Sequence, residues 1–178
     1  MRFHVSRLNR PTAALTAALA ILITVSCLCG GTAAAPATDQ AGSTEVVLEQ
    51  PYNEKADPHA DIAAAMAAAK TDKKNVLLDF GANWCEDCLV LSKLFEDPTV
   101  KPYLDKNFHV VHIDIGQWDR NLDVVDQYGN PTQVGIPAVV VLTPEGKMIA
   151  TTKAGELANA RTATAQDILT YLHKWAPE

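Results

Sequence analysis

Asn75-Val76-Leu77-Leu78-Asp79-Phe80, continued by Gly81-Ala82-Asn83-Trp84-Cys85-Glu86-Asp87-Cys88, is the stretch from which the rest of the chain can be read. Its first six residues are apolar almost throughout, as a central strand covered on both faces tends to be, and Gly81 ends them. Leu89, Val90, Leu91, Leu94 and Phe95 then run on as a helix. That helix stops before Asp97-Pro98, because the residue ahead of a proline is pushed out of the helical region. Cys85 therefore falls at a helix N-terminus and Cys88 one turn inside it. Unpaired N–H groups and the helix dipole stabilise a thiolate at the first cysteine, lowering its pKa from about 8.5 towards 7 or below. The three-residue spacing puts both sulfurs on one side of the first turn, close enough to close a disulfide. Cys85 is read as the attacking thiol and Cys88 as the resolving one.

Outward from this centre, strands and helices alternate. Upstream, Asp57-Pro58 starts a helix with Asp as N-cap and Pro at the first position, and Ile62 and Met66 recur on one face of an alanine-rich run to Lys70. Downstream come a short helix from Pro98 towards Lys106 and a strand over His109 to Asp114. A helix from Asn121 to Tyr128 follows, with Leu122, Val125 and Tyr128 on one face and Gly129 closing it. Ala138 to Leu142, a turn at Thr143-Pro144-Glu145-Gly146, and Lys147 to Thr151 form a hairpin signature. A last helix begins at Thr164, where Asp167 completes a capping box, and buries Ile168, Leu169, Leu172 and Trp175. With Val46-Val47-Leu48 as a first edge strand, the order is βαβαβ feeding an antiparallel hairpin. The fold class is α/β, a central mixed sheet flanked by helices on both faces and joined by right-handed crossovers.

Two motifs in this order carry a resemblance. Asp79 to Cys88 resembles the active-site strand and turn of the thioredoxin superfamily, and Gly135-Ile136-Pro137-Ala138 resembles its cis-proline loop. The similarity spans about Asp57 to Trp175. It implies a thioredoxin fold, no bound cofactor, and a covalent mixed disulfide with protein substrates. It places Asp79 as the buried acid beneath the cysteines, where desolvation raises its pKa and lets it accept or deliver the proton of Cys88. A solvated aspartate at a strand end is the plainer alternative. Ile136 and Pro137 would face the disulfide and pair with an extended substrate, the alternative being a trans proline that starts a strand. Trp84 would pack beside the cysteines. The chain departs from the family pattern at Glu86-Asp87, which replace Gly-Pro, at Gly81, which replaces a second tryptophan, and at Val110, which replaces a basic residue near the buried acid. Gly116 to Gln133 is longer than in minimal thioredoxins and holds Trp118, Asp119, Arg120 and Tyr128, as a partner surface or a packed insertion.

Composition bounds the function. Of four cysteines, Cys27 and Cys29 lie near the N-terminus, which leaves Cys85 and Cys88 as the pair within the domain. The loop they close is too small to restrain an unfolded chain much, so their value is chemical. A bare C-x-x-C is also half of a zinc site. The candidates to complete it, His109 and His112, stand three apart on a strand and point to opposite faces, so no metal site is read. Two non-enzymatic alternatives remain: a thiol carrier of copper or another soft metal, and an interaction module on a thioredoxin scaffold. The 178-residue chain carries a net charge of −6 without a basic patch, which speaks against nucleic-acid binding.

Arg2, Arg7 and Arg10 precede an apolar run from Ala13 to Cys29 broken only by Thr16, Thr24 and Ser26, and Thr32-x-Ala34 or Ala35-Pro36-Ala37 offers a cleavage signal. The chain is accordingly divided into a signal peptide over 1–37, a linker with a possible edge strand over 38–56, and a thioredoxin-like domain over 57–178. An uncleaved anchor and a lipoprotein signal ending at Cys27 are the other readings of the leader. Export to the periplasm follows, with membrane contact only if the leader is retained or lipidated. The expected partners are protein thiols and disulfides, with a membrane thiol reductase as electron donor. Glu86 and Asp87 would repel a Cys85 thiolate and tune the pair towards a reductant or isomerase, with a potential of about −270 to −220 mV. Cleavage between Ala34 and Ala37 is the expected outcome of export. The intact mass of the exported protein checks it, and an uncut N-terminus or a Cys27 carrying added lipid mass would defeat it.

Overall fold

Helix α1 (Pro58–Asp72) opens as the sequence predicts: the Asp57 carboxylate accepts hydrogen bonds from the N–H groups of His59 and Ala60, and Pro58 occupies the first turn. This is a computed structural model, and it describes residues 50–177. The leader over 1–37 and the edge strand at 46–48 lie outside the described residues.

After α1 the elements are β1 (Asn75–Gly81), α2 (Glu86–Phe95), α3 (Lys101–Asn107), β2 (Phe108–Asp114), α4 (Leu122–Gln127), β3 (Ala138–Leu142), β4 (Met148–Thr151) and α5 (Ala165–Trp175). A 3-10 turn at Ala160–Thr162 precedes α5. The four strands stand in the order β2-β1-β3-β4. β1 runs parallel to β2, and β1/β3 and β3/β4 are antiparallel, so the sheet is mixed as expected. Thr164 caps α5 in a complete capping box with Asp167.

Alternation along β1 sorts the core into two layers. Val76, Leu78 and Phe80 share a cluster with Val111 and Ile113 of β2 and with Ile62 and Ala69 of α1. Leu77 points the other way and joins Leu91 and Phe95 of α2, Leu104 of α3, and Ile168 and Leu172 of α5. Asp79 has the parity of Leu77 and lies two residues nearer the end of β1 that leads to the cysteines. It therefore belongs to the face covered by α2. The register sets Asp79 opposite His112 and Val76 opposite His109, so the two histidines do occupy opposite faces of β2.

Two local expectations need correction. In α4 the buried residues are Val124 and Val125, whereas Leu122, read as part of the apolar face, is exposed. Asn121 enters in the left-handed conformation (φ 52°), and the short helix it starts presents a different face to the core. The second is the end of the segment read as linker. Tyr52 is only 1% exposed and belongs to the cluster that also holds Cys85 and Cys88.

Candidate active site

Cys85 is itself the N-cap of α2. Its backbone is extended (φ −87°, ψ 108°), and the Cys88 N–H points at its sulfur, 3.2 Å from N to Sγ. A thiol side chain in this position meets the free N–H groups of the first turn, the arrangement that stabilises a thiolate. Cys85 and Cys88 are joined by a disulfide with Cα atoms 5.2 Å apart. Cys85 keeps a small exposure and Cys88 has none, so a partner's sulfur meets Cys85 first.

The peptide between Ile136 and Pro137 is cis, as the resemblance implies, and the Ile136 carbonyl oxygen lies 3.7 Å from Cys85 Sγ. Both residues of that loop are buried. Trp84 is 47% exposed on the turn ahead of the cysteines. Its indole N–H donates to the Gly116 carbonyl at 2.7 Å, which ties the active-site turn to the start of the long 116–133 segment.

Asp79 has no solvent exposure. The Tyr52 hydroxyl donates to its Oδ2 at 2.8 Å, and His112 Nδ1 lies 2.8 Å from the same oxygen. Its Oδ1 has no hydrogen-bond partner among the described residues. Burial opposes a charge on His112. The hydrogen bond to Asp79, and the charges of Asp79 and Glu96, outweigh that burial and raise its pKa above the ordinary 6.5. Burial first, then the charge and hydrogen bond of Asp79, push the Tyr52 phenol well above 10.

The thioredoxin-like family model matches residues 57–144. The crystal structure of a disulphide isomerase from Xylella fastidiosa is 47% identical, covers 71% of this chain and 97% of its own, and superposes with a TM-score of 0.69. The chain belongs to the thioredoxin-like family. The reduced C-terminal domain of DsbD from Neisseria meningitidis is 25% identical over 67% of this chain and 97% of its own, with a TM-score of 0.52. Its oxidised form, 24% identical over the same shares and with the same score, repeats the fold. No curated protein matches the chain. At the level of the family, the Cys85–Cys88 pair supports thiol–disulfide exchange.

Within this thioredoxin-like site, three residues that sequence reasoning passed over take part. His112 stands on the same strand face as Val110, two residues on, and brings a basic group to the buried acid where the family pattern had led one to look at Val110. Tyr52 fills the space left by Gly81: a Cβ on that glycine would collide with the Tyr52 ring. Asn83 of the active-site turn holds the tyrosine in place. It accepts from the Tyr52 N–H at 3.2 Å and donates to the Tyr52 carbonyl at 2.7 Å. The two departures at Gly81 and Val110 were the available signals for Tyr52 and His112.

Arg161 had no such signal. Glu86 is exposed, but Asp87 is 8% exposed and is clamped by Arg161 from the 3-10 turn. Arg161 Nη2 donates to Oδ2 at 2.6 Å, and its Nε and backbone N–H donate to Oδ1 at 3.0 and 2.9 Å. The expectation that both acids repel the Cys85 thiolate is thus corrected for Asp87, whose charge is compensated in place. The Arg161 hydrogen bonds, opposed by burial, hold the Asp87 carboxyl below its ordinary value of 3.8. A carboxyl depressed on folding stabilises the fold above its unfolded pKa, and that contribution is lost as pH falls through the folded value. Arg161→Gln should therefore lower the urea midpoint at pH 7 and lower it by less at about pH 3, as the contribution of the paired carboxylate is lost with falling pH. An equal loss at both pH values would assign the effect to packing of the arginine stem.

Proposed function

We propose that the protein is an exported thiol:disulfide oxidoreductase that reduces or isomerises disulfides in proteins of the cell envelope. The observation that carries this reading is the position of Cys85: it caps α2, receives the Cys88 N–H on its sulfur, and faces the Ile136 carbonyl of the cis-proline loop. The Xylella relative is described as a disulphide isomerase, and the Neisseria structure is the C-terminal domain of DsbD. Export rests on the arginine-led apolar leader and the small residues after it.

In the reductive direction the Cys85 thiolate attacks one sulfur of a substrate disulfide and the other leaves, giving a mixed disulfide. Asp79 takes the proton of Cys88. The Cys88 thiolate then attacks Cys85 Sγ, the internal disulfide forms, and the substrate sulfur departs with its electron pair and is protonated. Two electrons pass from the Cys85–Cys88 dithiol to the substrate. A membrane thiol reductase would restore the dithiol, since the periplasm is held oxidising. Ile136 and Pro137, with Trp84 beside them, supply the surface against which an extended substrate lies. A thiol metal carrier is the weaker reading, because His109 is engaged by Asp72 at 2.9 Å and His112 by Asp79 at 2.8 Å, each on its own face of the sheet.

Replacing Cys88 by Ser leaves Cys85 able to attack and removes the thiol that releases it. Covalent partners of Cys88→Ser should accumulate in the native compartment and separate on reduction, and their absence would reject the enzyme. Direction is a separate matter. With Asp87 clamped by Arg161 and Glu86 3.8 Å from the same guanidinium, no uncompensated cation stabilises the Cys85 thiolate, and the potential expected is about −270 to −220 mV. Equilibration against dithiothreitol or glutathione buffers measures it. A value more positive than about −180 mV would reject the reductant or isomerase role and leave the thiol chemistry standing.

A further inference from the structure

Asp79 uses its two oxygens differently. Oδ2 is met by Tyr52 and His112, each at 2.8 Å, while Oδ1 is buried with no partner among the described residues. An unpaired carboxylate oxygen of a residue with no solvent contact is costly to maintain, and such atoms in native folds usually mark a task. Asp79 lies on the β1 face that α2 covers, one step along from Leu77, and Leu77 packs on Leu91 and Phe95. Cys88, Leu91 and Phe95 form the buried stripe of α2. Cys88 also shares a buried cluster with Tyr52, whose hydroxyl reaches Oδ2, and this brings the carboxylate to the edge of that cluster.

The two donors on Oδ2 are not equivalent. The Tyr52 phenol, held well above 10, keeps its proton at every pH at which the protein works. His112 is part-exposed, with 29% of its side chain open to solvent, and so exchanges protons with water. Other charged groups near the ring are engaged elsewhere. Glu96, at the end of α2, and Asp105 of α3 are both held by Lys101, at 3.0 and 3.6 Å. Lys74, ahead of β1, pairs with Asp72 at 3.7 Å, and His109 lies 2.9 Å from the same carboxylate. Asp61 of α1 lines a groove that His112 also borders, with no hydrogen bond to the ring among the described residues. Asp79 is the one ionisable group paired with the His112 ring among the described residues.

We propose that His112 is a positioning residue that holds Asp79 by Oδ2 and, by gaining or losing its own proton, sets how readily Oδ1 takes the proton of Cys88. This rests on Asp79 being the base for Cys88. In the step concerned, the Cys88 proton moves to Oδ1 and the Cys88 thiolate attacks Cys85 Sγ. The Cys85–Cys88 bond forms as the bond from Cys85 to the substrate sulfur breaks, and that sulfur leaves as a thiolate and takes a proton from water. An imidazolium on Oδ2 draws electron density from the carboxylate and makes Oδ1 a weaker base. A neutral imidazole leaves it stronger. Release of substrate therefore speeds up as pH rises through the titration of His112. A tenfold change in basicity alters a proton-transfer rate by about threefold at a Brønsted coefficient near 0.5.

The test mixes the reduced protein rapidly with oxidised glutathione, quenches with acid, and follows the mixed disulfide on Cys85 by mass across pH 5.5 to 8. Its decay in the wild type should quicken by about threefold or more. The midpoint should coincide with the NMR titration of the His112 ring proton, above 6.5. His112→Gln, which can still donate to Oδ2 but carries no charge, should lose this step. Tyr52→Phe, which removes the donor that does not titrate, should keep the step. A step of the same size in His112→Gln, or a wild-type midpoint that departs from the His112 titration, would overturn the proposal. Asp79→Asn separates the layers: if it leaves release unchanged, the reading of Asp79 as base fails. If it slows release while His112→Gln keeps its step, only the role of His112 falls.

Discussion

A carboxylate with no contact to solvent sits in the middle of a parallel-paired strand, and the arrangement around it follows from keeping it there. Burying an ionisable group without partners is among the most costly things a fold can do. Asp79 meets that constraint by drawing in two donors from distant parts of the chain, His112 from the neighbouring strand and Tyr52 from the segment ahead of α1. Each donor then imposes a condition of its own. The phenol reaches Oδ2 only across the backbone of Gly81, so that position has to lack a side chain. The imidazole reaches it only because β2 runs in parallel register with β1, which sets residue 112 opposite residue 79.

The cysteine turn is built on the same framework. β1 delivers Cys85 to the start of α2, where it serves at once as helix cap and as the sulfur a partner meets. The two acids between the cysteines sit in the first turn, where the helix dipole favours negative charge, and Glu86 extends into solvent with its carboxylate 3.8 Å from Arg161 Nη1. Asp87 has become a structural residue. Its clamp by Arg161 fixes the 3-10 turn against the start of α2, and the same stretch brings Ala158 within 3.5 Å of where a side chain on Gly135 would begin, beside the cis-proline loop. The chain between β4 and α5 thus borders the disulfide on one side, as the 116–133 segment does through Trp84 on the other.

Much of this was legible where the determining residues lie within a turn of one another. The Asp57-Pro58 start, the unbroken apolar run of β1, the halt before Asp97-Pro98 and the Thr164–Asp167 box are all local chemistry, and the structure repeats them within a few residues. The two cysteines and the cis-proline were legible because their motifs are short and contiguous. What sequence reasoning did not reach are contacts across distance. Tyr52 and Asp79 are 27 residues apart, Asp79 and His112 are 33, and Asp87 and Arg161 are 74, and no periodicity links them. Leu122 failed for a local reason, since the left-handed Asn121 turns the face of a six-residue helix away from the direction an unbroken period implies.

The docking of Tyr52 separates two boundaries that usually coincide. Judged by elements alone, the domain begins at Asp57, the first cap. Judged by chemistry it begins earlier, because the phenol on Asp79 and the backbone pair with Asn83 both come from residue 52. A chain trimmed to its first helix would keep every strand and helix of the fold while leaving the carboxylate with one donor and an empty space above Gly81. Arg120 extends the connection by binding both Glu54 and Asp114, at 2.9 and 3.0 Å, so the short run before α1 is anchored at two points. The run from Tyr52 to Asp57 is thereby part of the floor of the redox centre and not a spacer ahead of it, so a change there reaches the buried acid before it reaches any helix.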